Sequence, residues 1–184
     1  MNRNLVAFGR LGLLAPLFWL LLEGGQFHYW AALSVFMFVG LGGLVEGYVR
    51  KTPFSPFNAM LHVLADRLLT VVVVGGLIAA GLRDPLVLAG GMALIARDVI
   101  VGSLNEALPG SLETPVQGLE RGRVALQVIG FGFLIAPNFA LPDLTLPSQF
   151  VGSLCLVIAA ILAIVTLTSY WRGAVAAFRA ESET

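Results

Sequence analysis

Six apolar runs dominate this chain, each near the length that carries an α-helix through a lipid bilayer. They fall at about 8–23, 29–47, 57–82, 85–107, 118–136 and 148–171. A helix rises about 1.5 Å per residue, so about 20 apolar residues cross a hydrocarbon core of about 30 Å. Inside that core every backbone N–H and C=O needs a partner within the protein, and a helix supplies its own. The predicted fold is therefore an all-α integral membrane protein: one domain, residues 1–184, built as a six-helix transmembrane bundle. Composition supports this. Of the 184 residues, 58% are hydrophobic and 12% charged, where a soluble domain carries about 25% charged residues. Net charge is zero, which gives no reason to expect a nucleic-acid partner.

The breaks between runs make local sense. "EGGQ" at 23–26 is a turn, and "GLRDP" at 81–85 is a tight turn into a new helix. Ser55-Pro56 fits a helix start, with serine as N-cap and proline at the first helical position. "LPGSLETPVQG" at 108–118 is the longest polar loop, and "APNFALPDLTLP" at 136–147 is punctuated by prolines. The first run follows Arg3 and Arg10 without a clear small-residue cleavage site, so it is expected to stay as an uncleaved span.

Basic residues set the orientation. With both termini on one side, that side receives Arg3, Arg10, Arg50, Lys51, Arg67, Arg97, Arg121, Arg123, Arg172 and Arg179, and the other receives only Arg83. The positive-inside rule then places both termini in the cytoplasm. Trp19, Tyr29, Trp30 and Trp171 fall near span ends, as in an aromatic belt. His28 reads as interfacial, Cys155 as a packed thiol, and Glu113, Glu120, Glu181 and Glu183 as solvated loop or tail residues.

One stretch breaks the apolar pattern. "LVEGYVRKTPFSPFNAMLHVLADRLLT", residues 44–70, places ionisable groups where they are costly. Gly43, Glu46 and Gly47 share one face at the end of the second span. Asn58, His62 and Asp66 share one face at the start of the third. A short loop joins the two helices antiparallel, so the faces can meet in a polar pocket at the membrane surface. Two carboxylates and an imidazole there suit a divalent cation, with carboxylates favouring Mg²⁺ or Mn²⁺ and a histidine ligand moving the preference toward Mn²⁺ or Zn²⁺. The same residues could instead lock helices together, His62 on Glu46 or Asp66, and Asp66 on Arg67 or Arg123. Arg97 and Asp98 are adjacent on a helix, and each is expected to find its own partner.

These residues resemble the signature of the CDP-alcohol phosphatidyltransferases, a family of six-span membrane enzymes. That signature reads D-x2-D-G-x2-A-R, then G-x3-D-x3-D. Here "GLVEGYVRK" stands for its first half and "NAMLHVLAD" for its second, and "LADRLL" is similar to the family's "LADKLL". "NLVAFGRLGLLAP" resembles the family's opening N-x5-R segment. "LIARDVIVGSL" and "ERGRVALQVIGF" resemble segments of phosphatidylglycerophosphate and cardiolipin synthases, with Arg121, Arg123 and Gln127 in place.

The resemblance implies transfer of a phosphatidyl group from CDP-diacylglycerol to an alcohol, with release of CMP. It implies metal ligands at the four acidic positions and a general base at the last. In this chain those positions read Gly43, Glu46, His62 and Asp66. The signature is thus degenerate: one acidic residue is unchanged, one is a near-equivalent, and two are lost. By resemblance Asp66 is the catalytic base, and Glu46, His62 and Asp66 hold one divalent metal, Mg²⁺ or Mn²⁺, or none. Gly47, Arg50, Lys51, Asn58, Arg97, Arg121 and Arg123 line the nucleotide or headgroup pocket. The expected partners are membrane lipids, CDP-diacylglycerol, and either a second copy or a larger membrane complex. The implied location is the bacterial inner membrane. The alternative is a catalytically inactive relative, a possible pseudoenzyme, that binds lipid or serves as a structural subunit. A small transporter fits six spans but not the lack of polar residues at mid-membrane depth along several helices.

Overall fold

The computed structural model describes the backbone of residues 3–49, 56–107, 117–136 and 142–182. Within these it describes the side chains of residues 6–42, 57, 60–107, 118–136 and 148–179. Helices stand at all the predicted positions: α1 (Arg3–Gly12), α2 (Leu14–Glu23), α3 (Gln26–Val49), α4 (Pro56–Ala79), α5 (Pro85–Ala107), α6 (Gln117–Ile135) and α7 (Pro142–Ser182). No strand occurs among the described residues. Four helical stretches among the described residues are long and apolar enough to cross a membrane: Val6–Glu23, Met60–Ala79, Pro85–Ala107 and Ser148–Arg179. The helix α6 carries Glu120, Arg121 and Arg123 in its first two turns, which sets it outside that apolar class.

The first predicted span is two helices with a shared ladder. Leu13 N donates to Gly9 O at 3.0 Å, and Leu17 N donates to Leu13 O at 3.1 Å. The interruption traces to Pro16, whose missing N–H leaves the Gly12 carbonyl without its helical partner. At its other end α4 stops short of the predicted residue 82. Gly81 has φ +92°, and Leu82 N donates to Leu77 O at 2.9 Å. This is the Schellman arrangement, which needs a residue free to adopt positive φ. The next helix, α5, starts on Pro85 behind Asp84, whose Oδ1 accepts from Leu86 N at 2.9 Å. The last helix, α7, runs well beyond 171, because the Ala-rich "RGAVAAFRA" continues the helix after the apolar segment ends.

The core runs down the bundle axis through Leu17, Leu21, Phe36, Leu77, Leu94, Phe131, Leu134 and Leu156. Phe36 and Phe131 meet edge to face with ring centroids 6.3 Å apart. The outer surface is also apolar: Phe8, Trp19, Phe38, Phe150, Ile161, Ile164 and Trp171 are exposed. A greasy exterior around a small greasy core is the pattern of a protein whose solvent is lipid. Packing between α6 and α7 depends on small residues, as is common where helices meet in membranes. A Cβ on Gly130 would lie 3.1 Å from Gly152 O, and one on Gly152 would lie 3.0 Å from Gly130 O. Cys155 is half-buried beside this crossing, the packed thiol expected.

Candidate functional site

The up-and-down course of the helices brings their charged ends together. Arg10 comes from α1, His62, Asp66 and Arg67 from the start of α4, and Arg97 and Asp98 from the second half of α5. Glu120 and Arg123 come from the start of α6, and Tyr170 from α7. The opposite end holds a smaller polar contact, Ser153 Oγ donating to Asp84 Oδ2 at 2.8 Å.

Arg10 is the pivot of the first half of this end. Its side chain is 1% exposed, yet it carries a charge that cannot be shed. Three acceptors on two neighbouring helices make this tolerable. Nε donates to Val39 O on α3 at 3.1 Å. Nη1 donates to His62 Nδ1 at 2.9 Å, which fixes that ring nitrogen as an acceptor. Nη2 donates to Asp66 Oδ1 in an ion pair. The Asp66 side chain is 60% exposed, so its partner is desolvated while the carboxylate still meets the surroundings. The pairing differs from the sequence expectation. Asp66 was expected on Arg67 or Arg123, and His62 on Glu46 or Asp66. Among the described residues, Asp66 pairs with Arg10 and His62 also reaches Arg10, while the pairing of His62 with Glu46 lies outside the described side chains. Position explains this: His62 and Asp66 are one helical turn apart and face α1, so a single forked guanidinium can serve both.

The second half is a closed set of four charges. Arg97 Nη2 donates to Glu120 Oε2 at 2.8 Å, and Arg97 Nη1 to Asp98 Oδ1 at 3.0 Å. Arg123 Nη2 donates to Glu120 Oε1 at 2.8 Å and lies 3.7 Å from Asp98 Oδ1. The Arg97 guanidinium also lies over the Tyr170 ring, 5.4 Å from its centroid, a cation–π arrangement. Two expectations are corrected here. Glu120 is not a solvated loop residue: it sits in the first turn of α6 and neutralises two buried arginines. Arg97 does reach its neighbour Asp98, because its long side chain bends back along the helix surface. Each also keeps a separate partner, as expected. Arg123 Nη1 donates to Gln127 Oε1 at 3.0 Å, and Gln127 Nε2 to Thr70 Oγ1 at 2.6 Å. Thr70 Oγ1 in turn donates to Asp66 O at 3.2 Å. The two halves are thus joined through Thr70.

Between them lies a cavity of about 270 Å³ whose walls include Asp66, Arg67, Thr70, Arg97, Glu120 and Tyr170. Arg67 rests against α5 at Gly102, where an added Cβ would clash with its guanidinium. Arg67 also borders a second cavity, of about 470 Å³, with Met60, Leu64 and Asn105. The polar cavity is somewhat smaller than most drug-sized ligand sites but of headgroup scale.

Of the residues singled out in the sequence, His62 and Asp66 come together on Arg10. Arg97 and Arg123 line the polar cavity, and Arg121 is exposed on α6 outside its walls. Arg50 and Lys51 lie outside the described residues, as do the side chains of Gly43, Glu46, Gly47 and Asn58. The sequence placed Arg10 in the family-like N-x5-R segment and counted it toward topology, and gave no site role to Thr70 or Tyr170. One cue was available for Arg10: a charged residue close to a long apolar run needs a buried partner.

A model of the CDP-alcohol phosphatidyltransferase family matches residues 2–171. No curated protein and no solved structure matches the chain.

Proposed function

The chain belongs to the CDP-alcohol phosphatidyltransferase family, and from that premise we propose that it transfers a phosphatidyl group from CDP-diacylglycerol to an alcohol. The family and the apolar helices make it an integral membrane protein of the phospholipid-synthesis transferase kind. The observation that carries the proposal is the position of Asp66: an exposed carboxylate in the wall of a polar cavity, at the last acidic position of the signature.

The reaction joins the acceptor oxygen to the phosphatidyl phosphorus and breaks that phosphorus's bond to the bridging oxygen of CDP. The electron pair leaves with CMP, and the acceptor hydroxyl gives its proton to Asp66. Arg10 holds Asp66 by Oδ1. Among the described residues Oδ2 carries no hydrogen bond, which leaves it to accept that proton. Arg67 faces the same cavity and supplies positive charge toward the diphosphate. The charged end of the bundle would face the cytoplasm, following the basic residues.

The family's chemistry implies divalent metal, and the donors among the described side chains, which do not include Glu46, do not fit it. Gly43 offers no ligand. His62 Nδ1 and Asp66 Oδ1 are already engaged by Arg10. Among the described residues no three His, Cys, Asp or Glu side chains come together. No step above therefore passes through a metal. Without that charge stabilisation the barrier is several kcal/mol higher, and turnover falls by orders of magnitude. Slow transfer is the expected behaviour.

A specific observation favours a second reading, a non-catalytic relative that binds lipid or supports another membrane protein. Arg97 and Arg123, the buried cations that could hold an anionic headgroup, are neutralised by Asp98 and Glu120. One assay separates the readings: CMP release from CDP-diacylglycerol by purified protein in lipid vesicles, across a panel of alcohols. Slow release that disappears in Asp66→Ala supports transfer. Release no faster than in Asp66→Ala with every alcohol supports the non-catalytic relative.

A further inference from the structure

We propose that the cation of the His62–Asp66 site is the protein's own Arg10, and that this site takes no divalent metal. A metal needs lone pairs that are free of protons and of competing donors. His62 Nδ1 and Asp66 Oδ1 have theirs aimed at one guanidinium, which leaves only Asp66 Oδ2, on the carboxylate that this guanidinium already pairs. That guanidinium cannot leave by deprotonation, because arginine keeps its proton throughout the accessible pH range. Nor is it held only by these two: Nε is fixed on Val39 O at 3.1 Å, and the side chain is 1% exposed. Swinging it out would break the ties from α1 to both α3 and α4. A divalent ion on Asp66 would therefore sit against a fixed positive charge, at close range and in a poorly screened place.

The charge at hand is also reduced. The family's four acidic positions suit two divalent ions, whereas this chain keeps carboxylates only at Glu46 and Asp66, and Arg10 engages Asp66. Arg10 is thus a positioning residue: it holds the Asp66 carboxylate and the His62 ring in place without touching substrate. The inference goes beyond the transfer reading and is tested apart from it, because metal binding is read directly and not through CMP release.

The test is a Mn²⁺ titration followed by electron paramagnetic resonance on the purified full-length protein in detergent micelles. Four proteins are compared: wild type, Asp66→Asn, Arg10→Met, and Arg10→Met with Asp66→Asn. Wild type and Asp66→Asn should show the same weak background. Arg10→Met frees both donors and should bind Mn²⁺ at least about tenfold more tightly than wild type, a gain that the added Asp66→Asn removes. A purely structural role for Arg10 would produce no such gain. Stoichiometric Mn²⁺ binding by wild type that is lost in Asp66→Asn would overturn the proposal. So would a folded Arg10→Met protein that binds no more tightly than wild type. If Arg10→Met does not fold, the comparison of wild type with Asp66→Asn decides alone, equal binding supporting the proposal and loss overturning it.

Discussion

Arg97 donates from Nη2 to Glu120 Oε2 at 2.8 Å, tying the second half of α5 to the first turn of α6. Glu120 also accepts from Arg123 Nη2 at 2.8 Å, so one carboxylate balances two arginines that are 6% and 5% exposed. Removing its charge leaves both with only Asp98 between them. Glu120→Gln should lower the unfolding free energy by about 2–3 kcal/mol, the scale of a buried charge that loses its partner. Denaturant unfolding in micelles, followed by tryptophan fluorescence, measures it.

The bond from Gln127 Nε2 to Thr70 Oγ1 links α6 to α4 at 2.6 Å. Thr70 is 1% exposed, so no water replaces a lost partner. Thr70→Val keeps the shape and deletes the hydroxyl. It should cost about 1–2 kcal/mol, the penalty for stranding a buried amide donor. Thr70→Ser should recover most of this in the same unfolding assay.

Glycine positions make a sharper contrast. A Cβ on Gly152 would fall 2.8 Å from Leu134 Cγ and 3.0 Å from the Gly130 carbonyl oxygen. Since that oxygen belongs to the α6 backbone, the helices must separate to admit a methyl group. Gly152→Ala should destabilise by about 1–3 kcal/mol. Gly9 on α1 has nothing within 4 Å of its Cβ position. There the gain in helix propensity stands alone, and Gly9→Ala should stabilise by about 0.5–1 kcal/mol. Melting temperatures of the two variants should move in opposite directions.

At the other end of the bundle Asp84 does two jobs. Oδ1 caps α5 through Leu86 N, and Oδ2 accepts from Ser153 Oγ on α7 at 2.8 Å. Asp84→Ala loses the cap as well as the crosslink and should cost about 1–2 kcal/mol. Ser153→Ala loses only the crosslink, about 0.5–1.5 kcal/mol. The double variant should cost less than the sum, and the shortfall is the energy of the crosslink.

Much of the fold was legible in the sequence because membrane physics leaves few choices. Apolar length placed the helices, and Ser55-Pro56 and "GLRDP" marked helix starts that the structure places at Pro56 and Pro85. Helix ends were less legible. Pro16 interrupts the first span, and the Ala-rich tail lengthens α7, because hydropathy reports what lipid requires and not where a helix stops. The site was legible in part. His62 and Asp66 were picked out by their spacing along α4, but spacing within one helix says nothing of which other helix faces it. Arg10 lies 56 residues from Asp66, and only the packing of α1 against α4 brings them together. Glu120 was read as solvated for a similar reason: its partner Arg97 is 23 residues away on another helix.

The ion pair of Arg10 with Asp66 underlies both the proposed placement of the base and the proposed exclusion of metal. A double-mutant cycle of Arg10→Met and Asp66→Asn, read by denaturant unfolding, measures the energy that couples them. Asp66 is partly exposed, so screening keeps the coupling modest, about 1–2 kcal/mol. Each single variant should be less stable than wild type, and the double variant should lose markedly less than the sum. Losses that add to within about 0.3 kcal/mol would mean that the two side chains do not interact, contradicting the architecture of the site.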